Sequence, residues 1–286
     1  MQLQQLYQQN RKVISLEFFP PKQSEKLPAT LDLVRHLGEF GPDFMTVTYG
    51  AGGSTRGLTS EITSYIVNQI GLPAMAHLTC VGHSVAEIDQ VLDQFDSLGI
   101  NNILALRGDP PKGQNSFTAH PQGFSCARDL VTHIAQRGKY GIAVAGYPEG
   151  HLEAESPEAD ITYLKQKVDA GAELILTQLF FDADMYSSFS ERARHAGISV
   201  PIVPGIMPIS NVKQLERFTR MCGASIPLDL HRALKRIESD QSAVKEFGIE
   251  RAIDLCQKLL ERDAPGVHLY TLNKSAQIEK IIEAIR

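Results

Sequence analysis

The chain has 286 residues, of which 43% are hydrophobic and 21% are charged, and its formal net charge is −5. This composition is typical of a globular protein with a large core. No basic stretch stands out and no apolar run is long enough to span a membrane, which argues against nucleic acid or a membrane as a partner. The first residues do not resemble a signal peptide and the four cysteines lack metal-ligand spacing, so we expect free thiols and a cytoplasmic location.

Short apolar stretches alternate with amphipathic stretches along nearly the whole chain. They predict strands at 13–19, 43–49, 74–80, 102–107, 141–147, 173–180, 200–204 and 267–272. They predict helices near 25–38, 57–70, 84–98, 124–137, 157–170, 183–196, 210–221 and 274–285. Eight strands, each followed by a helix, favour an α/β fold closed into a (β/α)₈ TIM barrel. No G-x-G-x-x-G follows any strand, which argues against the usual dinucleotide fold.

Residues 222–262 interrupt this period. They predict two extra helices, near 227–237 and 241–261, inserted between the seventh unit and the eighth strand. No low-complexity linker is present, so residues 1–286 are predicted to form a single barrel domain.

Several helix boundaries have local causes in the sequence. Ser84 and Glu87 form a capping box before an apolar stripe, which predicts a helix start. Glycines follow four predicted helices, at the place where a left-handed residue ends a helix. They are Gly99, Gly138, Gly171 and Gly197.

The first predicted strand carries a carboxyl among apolar neighbours. Residues 14–22 read Ile-Ser-Leu-Glu-Phe-Phe-Pro-Pro-Lys, and the two prolines stop the strand because proline cannot extend a sheet ladder. Side chains alternate along a strand, so Ser15 and Glu17 share one face. Such a carboxyl is paired, protonated or used in chemistry, although a solvated Glu on an edge strand explains this stretch equally well.

Most of the predicted strands end in polar residues, at the edge where a (β/α)₈ barrel carries its active site. These are Glu17, Thr46, Thr48, Tyr49, His77, Thr79, Arg107, Asp109, Tyr147, His151, Thr177, Gln178, Tyr270, Asn273 and Lys274. Structural interpretations also exist: His77 as a satisfied core residue, and Arg107 with Asp109 as a local ion pair. The glycine-rich loop 50–54 either cradles a phosphate or simply turns the chain. Convergence of these groups at one mouth favours a functional site.

Dedicated catalytic motifs are absent from the sequence. It contains no G-x-S-x-G, no H-E-x-x-H, no Walker A sequence and no Cys/His cluster, so neither a nucleophile nor a metal site is predicted. Two carboxyl groups, Glu17 and Asp109, come from different strands to the same mouth. Such a pair suits acid–base or cation-stabilising chemistry.

Nine short motifs occur in a characteristic order. They are Leu-Glu-Phe-Phe-Pro-Pro-Lys (16–22), Thr-Val-Thr-Tyr-Gly-Ala (46–51), His-Leu-Thr-Cys (77–80), Leu-Arg-Gly-Asp-Pro-Pro (106–111), Tyr-Pro-Glu-Gly-His (147–151), Lys-Val-Asp-Ala-Gly-Ala (167–172), Thr-Gln-Leu-Phe-Phe-Asp (177–182), Val-Pro-Gly-Ile-Met-Pro (203–208) and Tyr-Thr-Leu-Asn-Lys (270–274). Together they resemble the bacterial, single-domain methylenetetrahydrofolate reductases over essentially the whole chain.

This resemblance implies an FAD-dependent oxidoreductase that reduces 5,10-methylenetetrahydrofolate to 5-methyltetrahydrofolate and so supplies methyl groups for methionine synthesis. NADH or NADPH would reduce the flavin and leave before the folate binds in the same place, which implies ping-pong kinetics. The missing dinucleotide fingerprint agrees, since the nicotinamide need only stack on the flavin. The family also implies a homo-oligomer.

The resemblance also implies roles for individual residues. Glu17 matches the general acid that opens the folate's imidazolidine ring, which requires its protonated form. Asp109 matches the acidic residue beside the flavin, whose charge stabilises the cationic iminium. Gln178 matches a pterin contact, and Phe218 and Tyr270 match substrate-side residues. The positions that match the FAD site are Thr48, His77, Leu106, Arg107, Gly108, Asp109, Ala127, Tyr147, His151, Ala154, Asp160 and Lys167, of which Arg107 and Lys167 are the expected phosphate partners.

The chain departs from the family pattern at several positions. Cys126 stands where an aromatic residue often lies against the flavin, and Tyr163 where an Asn contacts the cofactor. Lys274 replaces a substrate-side Arg and loses its bidentate geometry toward carboxylates. The loop 112–123 is longer than in the relatives. Two alternatives remain: a flavin-dependent barrel with a non-folate substrate, and a non-redox pterin-binding barrel without FAD.

Overall fold

The computed structural model describes residues 2–9, 11–50, 56–110 and 117–286. Residues 51–54 of the predicted phosphate loop, and residues 112–116 of the long loop 112–123, lie outside these ranges. The strands described are β1 Val13–Phe18, β2 Phe44–Val47, β3 Ala74–Thr79, β4 Asn102–Leu106, β5 Gly141–Gly146, β6 Leu174–Thr177, β7 Ile202–Val203, β8 Gly205–Ile206 and β9 Gly266–Tyr270. The α-helices described are α1 Leu27–Gly38, α2 Arg56–Tyr65, α3 Val85–Ser97, α4 Ala127–Ala135, α5 Pro157–Asp169, α6 Ala183–His195, α7 Val212–Cys222, α8 Leu228–Ile237, α9 Gln241–Glu261 and α10 Ser275–Ile285.

The strands form one parallel sheet that returns on itself as a barrel. Their order is β7-β6-β5-β4-β3-β2-β1-β9-β8, and all pairings are parallel. The first and last strands of this order, β7 and β8, are separated in the chain only by Pro204. The predicted strand 200–204 contains β7 only, and β8 follows Pro204, which interrupts the ladder because proline has no N–H. The Pro204 carbonyl instead accepts the His268 N–H at 2.9 Å, and the predicted TIM barrel is confirmed.

The floor of the barrel interior is apolar. A 3₁₀-helix, Leu3–Gln8, lies beneath the strands and is anchored where the Leu3 N–H donates to Asn102 Oδ1 at 2.9 Å. The cluster that fills the floor consists of Leu3, Leu6, Val13, Phe44, Met75, Leu104, Ala143, Leu174, Leu176 and Val203. Burial of these side chains is the main stabilising contribution at this end.

Above the floor, the inward-facing residues become polar. Seven polar side chains of this layer are each at most 6% exposed: Ser15, Glu17, Thr46, His77, Thr79, Thr177 and His268. Buried polar groups are costly unless they are paired, so a polar layer at the C-terminal ends of the strands indicates a site with a chemical use.

The predicted helix boundaries have the expected local causes. Ser84 and Glu87 form the capping box at the start of α3. Gly99, Gly138, Gly171 and Gly197 all have positive φ angles, as a residue that ends a helix requires. The two extra helices also exist, as α8 and α9 between α7 and β9. No helix within the described ranges combines the length and apolarity needed to cross a membrane.

Candidate active site

A cavity of about 640 Å³ opens at the C-terminal ends of the strands. This volume lies in the range of small-molecule sites, and its position is the one where (β/α)₈ barrels carry their chemistry. The predicted site residues that line it are Glu17, Thr48, His77, Leu106, Arg107, Gly108, Asp109, Tyr147, His151, Gln178, Phe218 and Tyr270. Residues far apart in sequence are thus brought to one place.

Glu17 points inward from β1 and is 6% exposed. Its Oε2 lies 3.3 Å from Nε2 of His268. On the other side of that ring, Nδ1 lies 2.8 Å from the Oγ of Ser15, and this hydroxyl also lies 3.4 Å from the Val267 carbonyl oxygen. Ser15 and His268 are both fully buried. These three side chains form a hydrogen-bonded series that fixes the orientation of the carboxyl.

His268 is a site residue that the sequence analysis missed. The parallel register pairs Ser15 with His268 and Glu17 with Tyr270 across β1 and β9. Tyr270 was predicted at the site, and His268 lies two residues earlier on the same strand face. The alternation of side chains along this strand therefore indicated that His268 shares a face with Tyr270. Its partner, however, depends on which strand lies beside β9.

His77 lies on the other side of Glu17, on β3. Its Nε2 is 3.5 Å from Glu17 Oε2. This contact is too long or poorly aligned for a hydrogen bond, and Nε2 has no hydrogen-bond partner among the described residues. Burial lowers the pKa of His77 to about 4, an effect that Glu17 opposes and His268 reinforces. His77 is therefore neutral at neutral pH.

Arg107 does not form the local ion pair with Asp109 that the sequence allowed. Its terminal nitrogens donate to the two carboxylate oxygens of Glu153, at 2.5 and 2.9 Å. Its guanidinium also lies 4.8 Å from the centre of the Phe117 ring. The hydrogen bonds from Arg107 lower the pKa of Glu153 below its ordinary value. One N–H on each terminal nitrogen of Arg107 still remains for an anionic ligand.

Lys167 and Asp160 lie behind the cavity wall formed by β5 and the loop after it. Lys167 Nζ donates to the carbonyl oxygen of Ala145 at 2.7 Å, and Asp160 Oδ2 accepts the His151 N–H at 3.3 Å. Burial lowers the pKa of Lys167 to about 8, which Asp160 partly offsets. Burial also raises the pKa of Asp160 above its ordinary value. A cation thus stands close to the cavity without facing it directly.

Besides Lys167 and Asp160, three further predicted residues are not among those that line the cavity. Lys274 Nζ donates to Ser210 Oγ at 3.0 Å, at the N-terminal edge of α10. Ala127 begins α4, and the Ala154 N–H donates to the His151 carbonyl at 2.9 Å. Their predicted contacts with ligands stay predictions.

The wall opposite the His77 side carries the predicted substrate residues. Gln178 Oε1 accepts the Leu179 N–H at 2.8 Å, which holds the side-chain amide beside the cavity. Tyr270 Oη donates to the Thr177 carbonyl at 2.7 Å. Burial raises the pKa of Tyr270 well above its ordinary value, so this phenol stays neutral. The half-buried Phe218 completes this wall from α7.

Helices α8 and α9 support this wall. They pack with α7 and with the segments after β6 and β8 in one apolar cluster, against which Phe218 and Tyr270 also lie. The buried members are Leu179, Phe181, Met207, Ile209, Val212, Leu215, Leu230, Leu234 and Val244. The region whose role the sequence left open therefore backs the substrate side of the cavity.

The geometry suits proton transfer to a bound small molecule. The buried carboxyl of Glu17 lies beside two imidazoles, and the exposed Asp109 also lines the cavity. The fold and the site thus define a (β/α)₈-barrel protein with a small-molecule cavity at the C-terminal ends of its strands. Comparison with known proteins narrows this class: the sequence profile of methylenetetrahydrofolate reductase matches residues 2–286. The chain belongs to the methylenetetrahydrofolate reductase family.

Individual relatives agree with this assignment. A probable methylenetetrahydrofolate reductase (NADH) of Oryza sativa subsp. japonica is 46% identical over 282 residues, which cover 95% of this chain and 48% of that protein. The 5,10-methylenetetrahydrofolate reductase of Escherichia coli (strain K12) is 38% identical over 262 residues, which cover 92% of this chain and 86% of that protein. The chain thus spans about half the length of the plant relatives and most of the bacterial one.

Solved structures share the fold at low sequence identity. An uncharacterized protein from Clostridium thermocellum that binds two copies of 5-methyl-5,6,7,8-tetrahydrofolic acid has a TM-score of 0.62 and 18% identity. The match covers 100% of this chain and 98% of that one. At this identity the likeness supports the barrel architecture only.

Proposed function

We propose that the chain reduces 5,10-methylenetetrahydrofolate to 5-methyltetrahydrofolate with electrons from NADH or NADPH, and that FAD is its cofactor. The observation that carries the proposal is Glu17, a buried carboxyl held between two imidazoles at a cavity whose lining includes Asp109 and Gln178. A proton donor and a negative charge near a developing cation suit the ring opening of a folate. Family membership supports the same substrate.

The residues of the cavity fit FAD. Gly108 has a φ of +90°, and a Cβ at this position would lie 2.5 Å from Val81 Cγ1, so the backbone after β4 closely approaches its neighbour while it lines the cavity. Arg107 retains two N–H groups for phosphate oxygens, and Lys167 adds positive charge behind the wall. Leu106 and Tyr147 provide apolar surface for an aromatic ring system. When bound, FAD would supply hydride transfer from the nicotinamide to the folate.

Glu17 acts as the general acid in this proposal. It protonates the ring nitrogen of the folate that leaves, the C–N bond breaks with its electron pair on that nitrogen, and an iminium forms on the substrate. Ser15 and His268 hold the carboxyl in the orientation for this transfer. Asp109 places negative charge at the rim of the cavity, where it stabilises the cationic iminium.

Both substrates would use one cavity in turn. Phe218 and Tyr270 form a wall against which either a nicotinamide or a pterin ring can pack. Departure of the oxidised nicotinamide before folate binding gives ping-pong kinetics.

An anaerobic half-reaction experiment tests the proposal. The purified protein is expected to be yellow, and NADH or NADPH is expected to bleach the flavin absorbance. Addition of methylenetetrahydrofolate should then restore it. A colourless protein that binds no added FAD contradicts the cofactor assignment, and a flavin that stays reduced contradicts the folate assignment.

Substitution of Glu17 separates the two halves of the reaction. Glu17→Gln should still be reduced by NADH or NADPH but should lose folate-dependent reoxidation, because only the second half requires the proton. Glu39→Gln, the same change at an exposed position at the end of α1, is the matched control and should retain both halves. Equal loss of both halves in Glu17→Gln would be incompatible with the acid role.

A further inference from the structure

His77 has a relation to Glu17 that the sequence comparison does not assign. It was expected to contact the cofactor, and its ring does line the cavity. Its Nε2, however, is buried, and Glu17 Oε2 lies 3.5 Å away from it. The same oxygen lies 3.3 Å from His268 Nε2. Two imidazole nitrogens therefore converge on one oxygen of the acid.

The protonation state of His77 limits what it can do. A neutral imidazole carries one N–H. With the proton on Nε2, His77 directs a donor at Glu17 Oε2. With the proton on Nδ1, the Nε2 lone pair would face the carboxylate lone pairs. An ionised Glu17 therefore selects the Nε2–H form of His77.

We infer that His77 is a positioning residue for Glu17. The Nε2–H group of His77 stabilises the carboxylate that forms when Glu17 protonates the substrate. This inference rests on the proposed function. The transferred proton lies on Oε1, the oxygen that neither imidazole contacts, and it passes to the folate nitrogen. Glu17 becomes a carboxylate, and His77 keeps its proton throughout. The contact shortens as negative charge develops, since hydrogen bonds to a charged acceptor are shorter and stronger than those to a neutral one.

The distance of 3.5 Å between His77 Nε2 and Glu17 Oε2 suits a donor that acts mainly on the carboxylate. A hydrogen bond that is weak to the neutral acid and strong to its conjugate base lowers the barrier, because it acts mainly in the transition state. His268 contributes in the same way from β9, but its Nδ1 is tied to Ser15 at 2.8 Å. His77 is the more adjustable of the two donors, because no hydrogen bond to Nε2 from any described residue restrains it.

The other side chains around Glu17 come from three strands and from the cavity wall. On β9, Tyr270 has a pKa well above its ordinary value, since burial and Glu17 both raise it. The neighbouring strand β2 presents the Thr46 hydroxyl in register with Glu17, and β1 itself presents Ser15. His268, on β9, lies 3.3 Å from Glu17, and the other charged side chains that line the cavity are the exposed Asp109 and the paired Arg107 and Glu153. The variants His77→Asn and His77→Gln leave all of these groups in place, so a difference between their pH profiles reports on the contact with Glu17.

A matched pair of amide variants tests the inference. In His77→Gln the side-chain nitrogen reaches the position of Nε2 and retains the donor. In His77→Asn the amide ends at the position of Nδ1 and cannot reach Glu17. Each variant is purified with FAD, reduced anaerobically with NADH or NADPH, and mixed with methylenetetrahydrofolate across pH 5.5 to 9, while the rate of flavin reoxidation is followed.

His77→Asn should slow reoxidation at its pH optimum by about 10- to 100-fold, the range for losing one hydrogen bond to a charged group. The high-pH limb of its pH–rate profile should move to higher pH by about one unit, because the Glu17 carboxylate has lost a hydrogen-bond donor. His77→Gln should show the reoxidation rate and the high-pH limb of the wild-type protein. FAD content, reduction by the nicotinamide and thermal stability of each variant show that the site is assembled.

Three results would overturn the inference. His77→Asn could slow flavin reoxidation without moving the high-pH limb, or it could match the wild type in both rate and pH profile. His77→Gln could show the same slow rate and shifted limb as His77→Asn. If His77→Asn does not fold, restoration of the wild-type pH profile by His77→Gln still supports the donor, and an altered profile opposes it. Failure of the wild-type protein to be reoxidised by the folate would instead contradict the proposed function.

Discussion

Gly205 lies where the barrel closes, and its substitution by alanine is expected to disturb both the closure and the substrate wall. The Gly205 N–H donates to Thr177 Oγ1 at 2.9 Å, and Tyr270 Oη donates to the Thr177 carbonyl at 2.7 Å. Thr177 thus ties β6 to both β8 and β9. A Cβ at Gly205 would overlap the Thr177 carbonyl oxygen and would lie 2.6 Å from Tyr270 Oη, so both the end of β6 and the phenol must move.

The cost follows from these contacts. Overpacking of a well-packed site costs about 1–3 kcal/mol. Loss of the buried Tyr270 hydrogen bond adds about 1–2 kcal/mol. The free energy of unfolding of Gly205→Ala should therefore fall by about 2–5 kcal/mol, which lowers the Tm by about 4–10 °C for a chain of this size. Because Tyr270 lines the cavity, the KM for the folate should rise more than that for the nicotinamide.

Calorimetry and steady-state kinetics measure both effects. The control is Gly57→Ala in α2, where a Cβ would meet nothing within 4 Å. Alanine at this helical position should be neutral or should stabilise the protein by up to about 1 kcal/mol. A Gly205→Ala protein that melts within 1 °C of the wild type, with unchanged KM for the folate, would refute the predicted clash of the added Cβ with its neighbours at the barrel closure.

Three further predictions concern the acid, the rim and the pH dependence of stability. Ser15→Ala removes the partner of the His268 Nδ1 and should slow flavin reoxidation by the folate about tenfold with little change in flavin reduction; an equal slowing of both halves in rapid-mixing experiments would contradict it. Asp109→Asn removes negative charge from the cavity rim and should raise the flavin potential while it slows folate reduction; an unchanged potential in a redox titration would count against it. The pKa of His77 falls from 6.5 to about 4 on folding, so unfolding takes up a proton between these values, and the free energy of unfolding should decrease by about 3 kcal/mol as the pH falls from 6.5 to 4. Urea denaturation across this range should show a shallower pH dependence for His77→Gln, and an unchanged slope would exclude His77 as its source.

Much of the fold could be predicted because its signals are local. The eight strand–helix repeats follow from hydrophobic periods of about two and 3.6 residues, which each segment carries by itself. Proline and glycine mark the ends of elements through their own backbone limits, as at Pro20 and Gly99. The prediction ended the seventh strand at Pro204 and missed β8, the two-residue strand Gly205–Ile206 that follows it.

The candidate site was predicted only in part. The position of Glu17 at a strand end, together with the ordered motifs, led to the candidate acid and to twelve of the residues that line the cavity. The partner of Arg107 was not predicted, since Glu153 lies 46 residues away in a loop. The support of Phe218 by α8 and α9 was not predicted either, because an apolar helix face does not specify what it packs against.

The sequence by itself determined the barrel and the family and indicated Glu17 as the candidate acid, because periodicity and motif order are properties of the chain that need no knowledge of its neighbours. Only the tertiary structure decided what controls that acid. His268 is 251 residues from Glu17 and meets it solely because β9 pairs with β1 in a particular register. A slip of one residue would turn His268 to the opposite face of the sheet. Closure of the barrel therefore converts an isolated carboxyl into one held between two imidazoles.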